Sequence, residues 1–105
     1  MLQAIKNLLG LGPKVNYAEL VKQGAIILDV RTKNEFEGGH IKGSVNISVN
    51  SLSNSIAKLK SKNKPIITCC ASGSRSALAK SVLKSNGITE VYNGGSWYSL
   101  ERKIR

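Results

Sequence analysis

The sequence predicts an α/β fold in which a mostly parallel central sheet carries helices on both faces. Nearly continuous apolar runs at 25–30 and 65–69 are typical of strands that are buried on both faces of a sheet. Segments with helical apolar spacing at 50–62 and 76–86 alternate with these runs. The chain has 105 residues, the size of one domain, so we expect these elements to share one core.

The elements can be assigned in order along the chain. The sequence pattern predicts a short amphipathic segment at residues 1–12 and the domain itself at residues 13–105. Asn16 followed by Glu19 indicates a helix start, and Thr32 with Glu35 predicts a capping box. The remaining predicted elements are short strands at 44–47 and 90–92, a turn at 93–95 and a last helical segment through Trp97, Leu100 and Ile104.

The chain is strongly basic, with 16 Lys and Arg against 6 Asp and Glu, a formal net charge of +10. Such a charge attracts anions, acidic partners and nucleic acid. Aromatic residues do not alternate with the basic ones, as they would on a nucleic-acid platform. We therefore expect a solvated lysine face and no specific nucleic-acid binding. No stretch is long and apolar enough to predict a transmembrane segment.

The chain has two cysteines, Cys69 and Cys70, which are adjacent in the sequence. Neighbouring residues are poor disulfide partners, so we expect free thiols and a cytoplasmic location. The set of two cysteines and one histidine has none of the usual metal-ligand spacings, and no metal site is predicted. Side chains alternate across a strand, so Cys69 is expected in the core, facing away from Cys70.

A loop of small residues follows the 65–69 strand and carries the candidate chemistry. Cys70 precedes Ala71, Ser72, Gly73 and Ser74, and Arg75 closes the loop. Such a loop can turn several backbone N–H groups inward and, with the N-terminus of the next helix, form an anion site. That positive field stabilises a thiolate, the reactive form of cysteine. Cys70 is therefore the candidate nucleophile, although a merely buried cysteine beside a turn is the structural alternative.

Four motifs together resemble the rhodanese-like family in its single-domain form. They are Asp29-Val30-Arg31 with Glu35-Phe36; Gly39-His40-Ile41-Lys42-Gly43-Ser44-Val45-Asn46-Ile47; Cys70-x-x-Gly73-x-Arg75-Ser76; and Tyr92-Asn93-Gly94-Gly95 with Trp97. The resemblance implies an α/β fold and a sulfurtransferase of the thiosulfate sulfurtransferase type. Cys70 would carry sulfane sulfur as a persulfide, taken from thiosulfate or a persulfide donor and passed to cyanide or a thiol.

The resemblance also assigns roles to other residues. It implies that residues 71–75 bind substrate, that the acceptor includes thiols on proteins, and that no metal or organic cofactor is needed. Asp29, Arg31 and Glu35 would form a polar cluster that fixes the ends of the loop. His40 would be a packing and hydrogen-bonding residue. Arg75 could point its guanidinium at substrate or away from it to brace the loop, and we favour bracing.

The loop interior departs from many thiosulfate-using relatives, which carry a basic residue there. Ala71, Ser72 and Ser74 are neutral, so persulfides or a protein donor are reasonable alternatives to thiosulfate.

Three other functions compete with this one. Cys69 and Arg75 have the Cys-x5-Arg spacing of a cysteine-based phosphatase, but the usual glycine three positions after the nucleophile fits Cys70. A non-catalytic rhodanese-like interaction module is the second alternative, although such modules often lack the cysteine. The net charge keeps a nucleic-acid binder as the third, with strongly salt-dependent affinity.

Overall fold

The computed structural model describes residues 14–105, and the predicted amphipathic segment 1–12 lies outside them. The described chain contains a sheet of four parallel strands in the order β2-β1-β3-β4. The strands are β1 (Ile26–Asp29), β2 (Val45–Asn46), β3 (Ile66–Cys70) and β4 (Val91–Ser96). The helices are α1 (Tyr17–Lys22), α2 (Lys33–Glu37), α3 (Ile56–Lys62), α4 (Ser74–Ser85) and α5 (Trp97–Ile104), with a 3-10 helix at Val49–Ser55. The predicted fold class is confirmed.

Apolar side chains cover both faces of the sheet in two clusters. One contains Leu28, Val30, Leu52, Leu59, Ile66, Cys70, Ala79, Leu83, Ile88 and Val91. The other contains Ile27, Ile41, Ile67, Cys69 and Leu100. Because successive side chains of a strand point to opposite faces, the continuous apolar runs supply both clusters. The two cysteines lie in different clusters, which confirms that they face opposite sides of β3.

The caps of the first two helices agree with the sequence. The side chain of Asn16 accepts a hydrogen bond from the Glu19 N–H and begins α1. Thr32 and Glu35 form a reciprocal capping box at the start of α2. Such caps satisfy N–H groups that have no partner within the helix. Within residues 14–105, no helix combines the length and the apolar character that a membrane crossing requires.

Three boundaries around Cys70 differ from the prediction. Strand β3 continues through Cys70, and α4 begins at Ser74 rather than at Ser76. The predicted turn at 93–95 belongs to β4, which pairs with β3 through a register shift between Thr68 and Cys70. Gly94 allows this close pairing, since a Cβ there would lie 2.9 Å from atoms of Ile67 and Leu100. Tertiary pairing overrides the local turn preference of these residues.

Candidate active site

Cys70 is the last residue of β3, a strand with neighbours on both sides. It therefore lies at the carboxyl end of the parallel sheet, where open α/β sheets bind ligands. Only three residues, 71–73, separate it from α4, whose 12 residues begin at Ser74. This short connection directs the N-terminus of α4 towards the sulfur, and helix N-termini favour negative charge.

Two backbone N–H groups donate hydrogen bonds to Cys70 Sγ. The donors are Gly73, with N at 3.0 Å, and Ser76, with N at 3.3 Å. The hydroxyl oxygen of Ser76 lies 3.5 Å from the same sulfur. Cys70 is itself fully buried, at 0% exposure. The sulfur is therefore buried and surrounded by polar donors, and such donors stabilise a thiolate.

Two opposing effects set the pKa of Cys70. Burial is the larger single effect and raises the pKa, because it removes water from the charged form. The hydrogen bonds from the side chain and backbone of Ser76 and from the backbone of Gly73 lower it, and the nearby backbone N–H of Ser72 has a smaller effect in the same direction. Together these bonds outweigh burial, so the pKa of Cys70 lies below the ordinary thiol value.

The loop depends on Gly73 for its backbone conformation. Gly73 has φ +107°, which residues with a side chain rarely adopt, and it directly precedes α4. Space is not the constraint, because a Cβ there would lie 3.7 Å from its nearest neighbour, the Cα of Gly95. The other loop residues vary in exposure: Ala71 is half-buried, while Ser72 and Ser74 are exposed.

Cys69 has a different environment, although it is also fully buried. Burial, followed by the negative charge of Asp29, raises the pKa of Cys69 to about 12. The N–H groups at the start of α4 donate to Cys70 and not to Cys69. A phosphatase based on Cys69 and Arg75 would need those donors around Cys69, so the geometry does not support that alternative.

Arg75 forms a two-point ion pair with Glu35. Its Nη1 donates to Oε1 at 2.7 Å and its Nη2 to Oε2 at 3.0 Å. The two side chains are 33% and 36% exposed. The pair joins α2 to the first turn of α4, and the guanidinium is committed to a carboxylate of the same chain. This geometry favours a bracing role for Arg75.

A buried ion pair joins Asp29, the last residue of β1, to Arg31. The closest contact joins Arg31 Nη2 to Asp29 Oδ2 at 2.7 Å, and the two side chains are only 5% and 1% exposed. Arg31 also donates to the carbonyls of Gly39, at 2.7 Å, and Glu35, at 3.3 Å. Its guanidinium lies 4.9 Å from the centre of the Trp97 ring. Arg31 thus ties β1 to the segment that carries Glu35.

The structure places the predicted support residues in two linked pairs rather than in one cluster of side chains. Asp29 contacts Arg31, Glu35 contacts Arg75, and the link between the pairs is the backbone carbonyl of Glu35. His40 is exposed and stacks on Phe36, with ring centres 3.7 Å apart. Its Nδ1 lies 2.7 Å from the Phe36 carbonyl oxygen, so its contacts are local.

Three residues at the site, Ser76, Asn93 and Asn46, have no role assigned to them by the sequence analysis. Ser76 contacts the sulfur directly, and its hydroxyl donates to Asn93 Oδ1 at 2.6 Å. The sequence signal for Ser76 is its place in the loop motif, and the signal for Asn93 is its place in the closing glycine-rich motif. The third, Asn46, donates to the carbonyls of Asp29 and Arg31 and fixes the end of β1 against β2.

Comparison with known proteins places the chain in a family. The Rhodanese-like domain matches residues 14–99. Thiosulfate sulfurtransferase GlpE of Pseudomonas savastanoi pv. phaseolicola is 34% identical over 83 residues, 79% of this chain and 77% of that protein. Bacillus subtilis YqhL is 42% identical over 69 residues, 66% of this chain, so the match spans about half (54%) of YqhL.

Solved structures agree with the sequence relatives. A rhodanese with anions from E. coli has a TM-score of 0.67 at 28% identity and covers 72% of this chain and 91% of its own. The human single-domain sulfurtransferase TSTD1 has the same TM-score at 27% identity and covers 81% and 88% of the two chains. With the domain match over residues 14–99, these similarities establish that the chain belongs to the rhodanese-like family.

Proposed function

We propose that the chain is a single-domain sulfurtransferase that carries sulfane sulfur as a persulfide on Cys70. The observation that carries the proposal is the pair of N–H groups, from Gly73 and Ser76, that donate to the buried Cys70 sulfur. The relatives named thiosulfate sulfurtransferase support the same chemistry. We assign the domain to residues 13–105 and the substrate loop to residues 71–75.

The proposed reaction has two steps that balance without a cofactor. The Cys70 thiolate attacks the outer sulfur of a donor such as thiosulfate. The S–S bond of the donor breaks, sulfite leaves with the electron pair, and a Cys70 persulfide forms. Cyanide or a thiolate then attacks the outer sulfur and the S–S bond to Cys70 breaks. The outer sulfur leaves on the acceptor, as thiocyanate or a new persulfide, and the electron pair of the broken bond regenerates the Cys70 thiolate. Each step moves one sulfur atom and needs no external oxidant or reductant.

The chain's own groups supply the electrostatics of both steps. The start of α4 directs N–H groups at the sulfur, so negative charge on Sγ meets donors that are already oriented. Glu35 fixes Arg75, and the Asp29–Arg31 pair fixes the segment that carries Glu35. We assign these residues to support of the loop rather than to contact with substrate, and we assign His40 to local packing.

The donor and acceptor are proposed only by class. The donor is thiosulfate or a persulfide, and the neutral loop residues Ala71, Ser72 and Ser74 favour the second. The acceptor is cyanide or a thiol, including a thiol on a protein. Cys70 is a free thiol, as a persulfide carrier requires, and Cys69 is free as well. We expect the protein to act in the reducing cytoplasm.

Intact-protein mass spectrometry tests the proposal. Wild-type protein is exposed to thiosulfate or to glutathione persulfide, and the mass is read before and after cyanide. We expect a gain of one sulfur atom that cyanide reverses. Cys70→Ser should gain nothing, while the matched variant Cys69→Ala should gain sulfur as the wild type does. No gain from either donor, or a gain that survives Cys70→Ser, contradicts the proposal.

A further inference from the structure

Three elements meet in one chain of hydrogen bonds at Cys70. Ser76 Oγ, at the start of α4, lies 3.5 Å from Cys70 Sγ at the end of β3 and 2.6 Å from Asn93 Oδ1 in β4. Ser76 and Cys70 are both fully buried, so water does not compete for these contacts. The Ser76 hydroxyl therefore links the candidate nucleophile to β4 through side-chain hydrogen bonds.

The orientation of the Asn93 amide is fixed by the backbone. The Gly95 N–H donates to Asn93 Oδ1 at 2.9 Å. A backbone N–H can only donate, so the amide oxygen, and not the NH₂ group, must occupy this position. An amide oxygen can only accept, and the short Ser76–Asn93 contact therefore requires Ser76 to be the donor.

A hydroxyl has one proton to donate. Three acceptors lie around the Ser76 hydroxyl. Asn93 Oδ1 is the nearest, and the Gly73 carbonyl oxygen lies at 3.0 Å. The third is Cys70 Sγ, once it is a thiolate. While Ser76 donates to Asn93, it can only accept from the Cys70 S–H, which stabilises the thiol. When Ser76 turns its proton to the sulfur, it stabilises the thiolate.

We propose that Ser76 and Asn93 are positioning residues that form a proton switch: Ser76 donates to Asn93 while Cys70 is a thiol and donates to Cys70 when the sulfur is anionic. The inference deepens the proposed function, because a nucleophilic thiolate and the anion of a persulfide would use the same donor. Asn93 retains the Gly95 N–H when Ser76 turns away, so the switch leaves no buried acceptor without a partner.

Besides Ser76, the polar groups that donate to this sulfur in residues 14–105 are backbone N–H groups, which carry no net charge. The other members of the cluster that contains Cys70 are apolar and come from β1, β3, the 3-10 helix, α3, α4, β4 and the residues next to them. The titratable neighbours along its own segment are Cys69, whose thiol faces the opposite cluster, and Arg75, which is paired with Glu35. Changes at Ser76 or Asn93 therefore reach the sulfur without altering a nearby charge.

The switch predicts opposite effects for two substitutions. Ser76→Ala removes the donor and should raise the pKa of Cys70 by about one unit, a tenfold loss of thiolate at a fixed pH below the pKa, as for a hydrogen bond to a charged group. Asn93→Ala removes the competing acceptor and should lower the pKa of Cys70. That effect should be smaller, because the Gly73 carbonyl still accepts.

The measurement is a pH titration of thiolate ultraviolet absorbance, with the rate of iodoacetamide labelling assigned to Cys70 by fragment masses. Ser81→Ala, an exposed serine of α4, is the matched control and should leave the pKa unchanged. In the double variant Ser76→Ala/Asn93→Ala, the effect of Asn93→Ala should vanish. Asn93→Ser is the substitute if Asn93→Ala does not fold: its oxygen can still accept from the Gly95 N–H, but it lies one bond closer to the backbone than Asn93 Oδ1 and so moves away from Ser76.

The same titration can overturn the switch. It is wrong if both single variants move the pKa of Cys70 in the same direction, or if Asn93→Ala or Asn93→Ser keeps its effect in the Ser76→Ala background. Thiol ionisation is measured here without any sulfur donor. Failure of the switch is therefore distinguishable from failure of the proposed sulfur transfer, which the sulfur mass gain reports.

Discussion

Arg75 and Glu35 are 40 positions apart in the chain and are joined by two hydrogen bonds of 2.7 and 3.0 Å. The pair connects α2 to the turn of α4 whose N–H groups contact the sulfur of Cys70. If the guanidinium acts by bracing that turn, removing either partner should have the same consequence.

We therefore expect Arg75→Ala and Glu35→Ala to lower the rate of sulfur transfer by similar factors, between about 10- and 100-fold, as for a displaced reactive group. The double variant should be no slower than either single variant, because the two residues act as one unit. Steady-state kinetics with thiosulfate and cyanide provide the measurement. A much larger loss for Arg75→Ala than for Glu35→Ala would show instead that the guanidinium contacts substrate.

The Arg75–Glu35 ion pair also predicts that the folded protein becomes less stable as the pH falls into the acid range. The Arg75 guanidinium, and next the Thr32 N–H, hold the pKa of Glu35 at about 2, below its ordinary value of 4.5. A lowered folded pKa stabilises the protein above the unfolded pKa, and that contribution is lost as the pH falls towards the folded pKa. We expect the loss between pH 4.5 and about 2.

Urea midpoints measured across this pH range should therefore converge for wild type and Glu35→Gln in acid and separate above pH 4.5. Glu37→Gln is the control, because its pairing with Lys33 is long, at 3.9 Å, and exposed. Curves for Glu35→Gln and wild type that stay parallel across the range would contradict the prediction.

Asp29→Asn should destabilise the fold far more than a surface change. It leaves the guanidinium of Arg31, whose side chain is 5% exposed, without a counter-charge. Breaking a buried pair in this way costs about 3–5 kcal/mol, whereas loss of an exposed pair costs at most about 1 kcal/mol. Urea denaturation of Asp29→Asn and of the control Lys33→Ala compares the two directly. Equal losses of unfolding free energy would mean that the buried Asp29–Arg31 pair stabilises the fold no more than the exposed pair does.

The two cysteines should differ sharply in reactivity. The pKa of Cys70 lies below the ordinary thiol value and that of Cys69 is raised to about 12. Cys70 should therefore alkylate at a pH clearly below the free-thiol pKa of about 8.5. Cys69 should resist until the protein unfolds. Labelling of the folded protein, followed by fragment masses, distinguishes the two sites, and equal labelling would refute the assignment of Cys70.

A basic residue in the loop should improve the use of thiosulfate. Ser72 is exposed and neutral, so Ser72→Lys adds a positive charge where the dianion would approach. We expect kcat/KM for thiosulfate to rise several-fold at low salt and the gain to shrink as salt screens the charge. Ser61→Lys, on the exposed surface of α3, carries the same charge change as a control. An equal gain from both variants would attribute the effect to net charge alone.

The fold could be predicted because its signals are local. The apolar runs at 25–30 and 65–69 predict buried strands, and the capping box of Thr32 and Glu35 needs only four consecutive residues. The opposite orientations of Cys69 and Cys70 follow from the alternation of side chains along any strand. Each of these predictions depends on short-range geometry that tertiary contacts do not overturn.

The rest of the site depends on contacts between distant positions. Ser76 and Asn93 meet only because β4 pairs with β3 through a register shift, and Asn-Gly-Gly at 93–95 locally favours a turn. The pairing of Glu35 with Arg75 rather than with Arg31 depends on where α2 packs. Residue type and spacing could place these groups at one end of the sheet, but they could not assign partners.

The complete burial of Cys70 has a consequence for which of the two sulfur atoms of a persulfide would meet the acceptor. A persulfide would add a second sulfur one S–S bond, about 2.05 Å, beyond the hidden one. The acceptor would then meet the outer sulfur, which is the one transferred, while Cys70 Sγ would remain buried beneath it.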